Sequence, residues 1–185
     1  MKTKLITITK NINRLVFKDP GIHVVFFKNI SGTIACEIQS ENVQLYMFGL
    51  YDLDNVDNFK IYTEQIHKAP NSFSELLILS VLKGHASLAF TGSIRIEKDA
   101  QKSHAYQKNQ NLTLSKDAFI DSRPILEILA DDVFCTHGST SGPLSEEQLL
   151  YLQMRGVDSV SARKLLIDGF KQQIYNRITK LGITV

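Results

Sequence analysis

Alternation is the feature that most limits what this chain can become. Ala86, Leu88, Phe90, Gly92, Ile94 and Ile96 put small or apolar groups at every second position, with Ser87, Ala89, Thr91, Ser93, Arg95 and Glu97 between them. Side chains of an extended strand point to opposite faces in turn, so this spelling gives one face to a core and the other to water. The same period recurs at Ile6 and Ile8, at Ile34, Cys36 and Ile38, and at Val43, Leu45 and Met47, while His23 to Phe27 is a short apolar run. Turn-forming residues separate these segments: Asp19-Pro20-Gly21, Asn29 to Gly32, and Ser40-Glu41-Asn42. Phe73 to Leu82, almost continuously apolar after Pro70-Asn71, reads as a strand covered on both sides or as a buried helix.

A short echo suggests how the strands stack. Ile94-Arg-Ile-Glu-Lys-Asp-Ala100 resembles Leu112-Thr-Leu-Ser-Lys-Asp-Ala118, 18 residues later. Repetition in a turn-punctuated, all-strand region points to the coils of a β-solenoid, each stacking its inward side chains on the next. An antiparallel sandwich would supply similar strands without asking for a fixed repeat, so the preferred fold is mainly β, a parallel β-helix.

At Ser145 the period changes. Ser145 followed by Gln148 is a capping box, Glu146 and Glu147 suit the positive end of a helix, and Gly156 suits its stop. Leu149, Leu150, Leu152 and Met154 are expected to form its buried side. A second helix should start near Ser159, with Ile167, Phe170, Ile174, Ile178 and Leu181 as an apolar stripe that packs on its own domain or docks a partner. The chain thus divides into a β-helix core, 1–142, and a C-terminal helical region, 143–185.

With 185 residues, 43% of them hydrophobic, the chain can bury a sizeable core. Lys and Arg number 21 against 19 Asp and Glu, a balance that argues against nucleic acid as a partner. Neither a signal peptide's apolar core nor a membrane-length apolar run is present, which places the protein in the cytosol without a membrane partner. In that compartment Cys36 and Cys135 are expected to be two thiols rather than a disulfide.

Chemically able side chains gather between Arg123 and Leu144. If the segment is extended, Asp131, Val133, Cys135 and His137 share one face, so a thiol and an imidazole point the same way. These are ligands that soft and borderline metals, including iron–sulfur clusters, take from proteins. A buried structural cysteine beside a hydrogen-bonded histidine would have the same spelling. Asp131 and Asp132, as neighbours in an extended strand, would face opposite ways and could not flank one bond, so they read as turn or surface carboxylates. Gly138 to Gly142 has Thr140 where a hydrolase elbow needs serine, and no phosphate-binding G-x-x-x-x-G-K-[ST] occurs, so any ATP chemistry belongs to another protein.

From about Ile61 to Ile178 the chain resembles the SufB/SufD family of iron–sulfur cluster assembly scaffolds. The resemblance rests on His67-Lys-Ala-Pro-Asn-Ser72, Phe90-Thr-Gly-Ser-Ile94, Ala100-Gln-Lys102, Asn109-Gln-Asn-Leu-Thr-Leu-Ser115, Pro124 to Val133, Cys135-Thr-His-Gly138 and Leu149 to Gly156. It implies a right-handed parallel β-helix followed by helices, acting in the cytosol or in a plastid. The partners it implies are a SufB-like subunit, or a second copy of the chain, and a SufC-like ABC ATPase. Leu149, Leu152, Phe170 and Ile174 are the positions expected to meet that ATPase. His137 matches the histidine of the C-x-H-G motif that lies near a partner's cysteine, and Cys135 the cysteine beside it; the glycine at 138 looks like SufD rather than SufB. Where the family's pattern reads H-G-A-T-x-G-x-L-D, this chain has His137-Gly-Ser-Thr-Ser-Gly-Pro-Leu-Ser145, and Gln110 replaces a basic residue. Family members generally carry a helical region before the strands, so this chain reads as a short or truncated member.

The reading that follows is a non-enzymatic scaffold whose His137 and Cys135 lend ligands to an iron–sulfur cluster held transiently with a partner subunit. A cluster that wants about four protein ligands cannot be held by one thiol and one imidazole. Two alternatives stand beside it: a structural or regulatory protein that binds SufB or SufC without cluster chemistry, and a β-helix enzyme acting on polysaccharide. The second rests on fold analogy and is opposed by the lack of an aromatic groove.

Overall fold

The computed structural model describes residues 3–184 and turns the alternation into strands that never pair with their neighbours in sequence. β1 (Thr3–Ile8), β3 (Gly21–Lys28), β5 (Val43–Leu53), β7 (Phe73–Leu82), β9 (His104–Thr113) and β11 (Phe134–Gly142) lie in that order in one sheet, sheet A. β2 (Ile12–Phe17), β4 (Gly32–Ile38), β6 (Asn58–His67), β8 (Ser87–Ile96) and β10 (Phe119–Ile128) make the opposite one, sheet B. Every pairing is parallel, so the chain crosses from one sheet to the other at each corner and climbs one coil per two strands: a parallel β-solenoid. α1 (Glu146–Met154) and α2 (Ser159–Lys180) follow.

The coil length corrects the 18-residue echo. Phe73 pairs with His104 and His104 with Phe134, coils of 31 and 30 residues, while the first coils are shorter, 19 residues from Thr3 to Ile22 and 22 from Gly21 to Val43. Ile94 lies in β8 and Leu112 in β9, on opposite sheets. The echo therefore records two successive strand ends with similar corners, half a coil apart.

Inside the solenoid, alternate residues of both sheets meet: Phe27, Ile34, Cys36, Leu45, Met47, Ile61, Leu76, Ile78, Leu88 and Phe90 belong to one buried cluster. The opposite, outward face of sheet A is covered by α2, whose Ile174 and Ile178 pack against Val24, Phe48, Leu50, Leu77 and Leu79. Phe73–Leu82 is thus a strand apolar on both faces because both faces are covered. Lys171 on α2 reaches the Asp52 carboxylate at 3.0 Å, and Arg177 pairs with Glu75, pinning the helix to β5 and β7.

α1 begins where Ser145 Oγ accepts the backbone N–H of Gln148 (3.3 Å), and Gly156, at φ 86°, ends it. Its buried side is narrower than the sequence suggests. Leu149 is buried and Leu152 half-buried, whereas Leu150 and Met154 are 58% and 78% exposed. One contact stripe serves so short a helix, and each single step rotates a side chain by about 100° away from it.

One corner column shows where local strain resides. Asn42, Asn71 and Lys102, at φ 59°, 53° and 57°, stack in successive coils, with Asn42 N–H donating to Asn71 O (3.1 Å) and Asn71 N–H to Gln101 O (3.0 Å). Asparagine tolerates this left-handed conformation better than lysine does. Lys102→Asn is expected to raise the unfolding free energy by about 0.5–1 kcal/mol in urea titrations; a decrease would mean that the lysine side chain contributes more than its backbone costs.

Candidate functional site

β11 and β10 are the last strands of their sheets, and among the described residues no further coil stacks on them. The solenoid is open at this end. β10 leaves Ile125, Leu126 and Ile128 exposed at 46%, 41% and 36%, an apolar strip beside unpaired strand edges.

The inward face of β11 is fixed by its contacts. Cys135 packs against the cluster of Ile94, Ile96, Ala105 and Ala130. Two residues past His137, Ser139 Oγ is within hydrogen-bond reach of Asn109 Oδ1 (3.4 Å), which can only accept from it, and of Ser122 Oγ on the opposite sheet (3.2 Å). Ser141 Oγ accepts from Asn111 Nδ2 at 3.1 Å. His137 lies between Cys135 and Ser139 on the same alternation, so thiol and imidazole do face one way, about 6.6 Å apart along the strand. Cys135 is half-buried and His137 exposed.

The floor beneath them is polar. Gln107, Asn109 and Asn111 of β9 are buried and face the bore. Sequence reasoning missed this floor, although its signal was present: with Ala105 inward, the polar residues at 107, 109 and 111 fall in the same phase. Asp131 and Asp132 are not strand neighbours, because β11 starts at Phe134. Both are exposed in the corner before it, where the Asp132 N–H donates to Gln101 Oε1 (2.8 Å).

Burial pushes the Cys135 thiol up, so at neutral pH it is protonated and must release that proton to bind metal as thiolate. Cys36, fully buried in the core, is a free thiol with its ionisation suppressed by burial. Among the described residues no group of three or more His, Cys, Asp or Glu is placed to hold a metal ion. Cys135 and His137 bring one thiol and one imidazole to this face, two donors of the kinds that soft and borderline metals take.

Of the residues expected to meet a partner, Leu149 is buried against Leu144 and Ala162, and Ile174 and Phe170 are spent on the outer face of sheet A. Leu152 lines a groove of about 490 Å³ with Glu147, Gln148, Tyr151 and Leu166. The apolar surface left exposed on the helices is Leu150, Tyr151, Met154, Val160 and Leu165.

Tyr46, Phe73, Tyr106 and Phe134 form a ladder on the outer face of sheet A, with centroids 5.3, 5.7 and 5.6 Å apart. Each ring comes from a different coil, so the ladder is invisible along the sequence. The carboxylate beside it, Glu75, is engaged by Arg177, and glycoside hydrolysis asks for a pair.

The family model described as SUF system FeS cluster assembly, SufBD core domain, matches residues 27–170. The iron–sulfur cluster assembly protein SufD of Escherichia coli is 38% identical over 101 residues, covering 55% of this chain and 23% of that protein. SufD of Bacillus subtilis is 35% identical over 130 residues, 70% of this chain and 29% of that protein. A chloroplastic protein of Arabidopsis thaliana is 39% identical over 88 residues, 48% of this chain and 18% of its own length. The chain thus spans less than a third of each of these relatives.

Proposed function

Because the chain belongs to the SufBD core family of the SUF iron–sulfur cluster assembly system, we propose that it is a SufD-like scaffold whose open coil completes a cluster-building site with another subunit. The observation that carries this reading is the common inward face of Cys135 and His137 on the last strand, at an end lined by exposed apolar residues and free strand edges. Such an end buries its edges by pairing with a second solenoid, either a SufB-like chain or a second copy. The paired subunit supplies the remaining ligands for the cluster, which is cargo rather than a resident group.

The helices serve a second contact. A SufC-like ATPase docks on the exposed residues of α1 and early α2, around the groove at Tyr151 and Leu152, and hydrolyses ATP. The proposed setting is the cytosol, or a plastid as the chloroplastic relative suggests; no helix among the described residues is long and apolar enough to cross a membrane.

Replacing His137 with alanine tests the reading. In a complex reconstituted with SufB-like and SufC-like subunits, His137→Ala should lower cluster yield by at least about tenfold while circular dichroism stays unchanged. Undiminished yield in a folded variant would remove the residue from cluster assembly. The incomplete ligand set also favours a second reading, a SufB- or SufC-binding chain without cluster chemistry. Complexes that co-purify and function without iron ever contacting this chain would decide for it.

A further inference from the structure

Inside the solenoid, the buried polar atoms without a hydrogen-bond partner include Thr63 Oγ1, both amide atoms of Gln65, and Gln107 Oε1. Gln107 is the one that borders the last coil. Its Nε2 donates to the carbonyl of Gly92 on the opposite sheet at 3.3 Å, and a β-carbon added at Gly92 would collide with its amide. Glycine at 92 therefore lets the amide lie across the bore, held by its nitrogen, with the carbonyl oxygen left over. Leaving such an acceptor buried and unmade is costly, so a donor is expected near it.

His137 is the direct sheet neighbour of Gln107, one strand spacing away, about 4.8 Å, and on the same inward face. Across the bore the position above Gly92 is Pro124, which has neither an N–H nor a polar side chain to offer the ring. Histidines that bind metal generally donate their second ring N–H to an oxygen acceptor, which fixes the tautomer and the ring's orientation.

We propose that Gln107 is a positioning residue for His137: its Oε1, unpartnered in this structure, takes one ring N–H when the imidazole turns toward it, and the other ring nitrogen is left bare toward the open end, ready for metal. This deepens the cluster-ligand reading and rests on it. Thr63, the sheet neighbour of Gly92 one coil below, carries the competing donor, a hydroxyl.

The test uses the full chain with ¹⁵N-labelled histidine, observed by NMR at about pH 8. The expected result is a single His137 tautomer with an exchange-protected ring N–H. That signature is lost in Gln107→Leu, kept in Gln107→Glu and kept in Thr63→Val, with circular dichroism reporting the fold. A signature untouched by Gln107→Leu, or lost only in Thr63→Val, overturns the proposal. Should Gln107→Leu fail to fold, the unmodified chain still decides, because the proposal requires a nuclear Overhauser contact between the Gln107 amide and the His137 ring. Cluster loading in the reconstituted complex separates the two layers of the argument. Gln107→Leu should load about tenfold less. If the NMR signature behaves as expected yet His137→Ala loads normally, the ligand reading falls and the positioning stands. If His137→Ala abolishes loading while Gln107→Leu alters neither signature nor loading, the positioning falls.

Discussion

Truncating Ile174 to alanine is expected to lower the unfolding free energy by about 2–5 kcal/mol, the cost usual for removing a fully buried isoleucine. Ile174 is 0% exposed, and it sits with Ile178 on Val24, Phe48, Leu50, Leu77 and Leu79, the outward side chains of three strands. α2 is long, but its seat is narrow. The ion pairs that flank it, Lys171 with Asp52 and Arg177 with Glu75, are partly exposed and would not replace the lost packing. Denaturant unfolding followed by circular dichroism should show a lower midpoint, and hydrogen exchange should show α2 opening before the strands. Leu165→Ala provides the contrast: at 55% exposure it should leave stability within about 0.5 kcal/mol and affect only a partner that docks there. Equal stability of Ile174→Ala and the unmodified chain would mean that α2 is not held by this cluster.

Acid should destabilise the fold through His67. The ring is buried where β6 turns into β7, with Nδ1 2.7 Å from Ser72 Oγ and Nε2 2.7 Å from Ser74 Oγ. Because the Ser72 hydroxyl donates to Ala69 O (3.0 Å), it accepts from Nδ1–H, leaving Nε2 to accept from Ser74. This arrangement suits the neutral ring, and burial pulls its pKa down from 6.5 to about 4. The sign follows from proton counting. Between those values the unfolded chain binds a proton that the folded chain refuses, so stability falls as pH drops through that window and the full loss is reached below the folded value. The shift amounts to about 3 kcal/mol. Unfolding free energies at about pH 7.5 and about pH 4.5 should therefore differ more in the unmodified chain than in His67→Gln, which lacks this proton while keeping the carboxylates. Parallel pH profiles would show that the ring titrates normally in the fold.

How much of this was legible in the sequence depended on whether the signal was local. Strands such as Ile34 to Ile38 and Ala86 to Ile96 were readable because alternation is a property of adjacent residues, and the caps of α1 because Ser145 and Gln148 lie within one turn. Parallel stacking was reached through an echo whose period was wrong, since the true coil partners of the echoing segments are about thirty positions apart and share little beyond an inward phase. Outward contacts were the least readable. Nothing in the spacing of Leu149, Leu150, Leu152 and Met154 says which of them meets the solenoid, and the Tyr46–Phe73–Tyr106–Phe134 ladder exists only once coils are stacked. The common face of Cys135 and His137 was legible for the same reason as the strands, whereas their place at an open end needed the sheet order.

That shared face at an unfinished coil is the centre of the account, and pulsed electron paramagnetic resonance reads it directly. In a reconstituted complex in which only this chain carries ¹⁵N-histidine, the reduced cluster should show the hyperfine coupling of a directly bound imidazole nitrogen, and His137→Ala should abolish it. A cluster that forms on the complex and shows no nitrogen coupling from this chain would contradict the assignment.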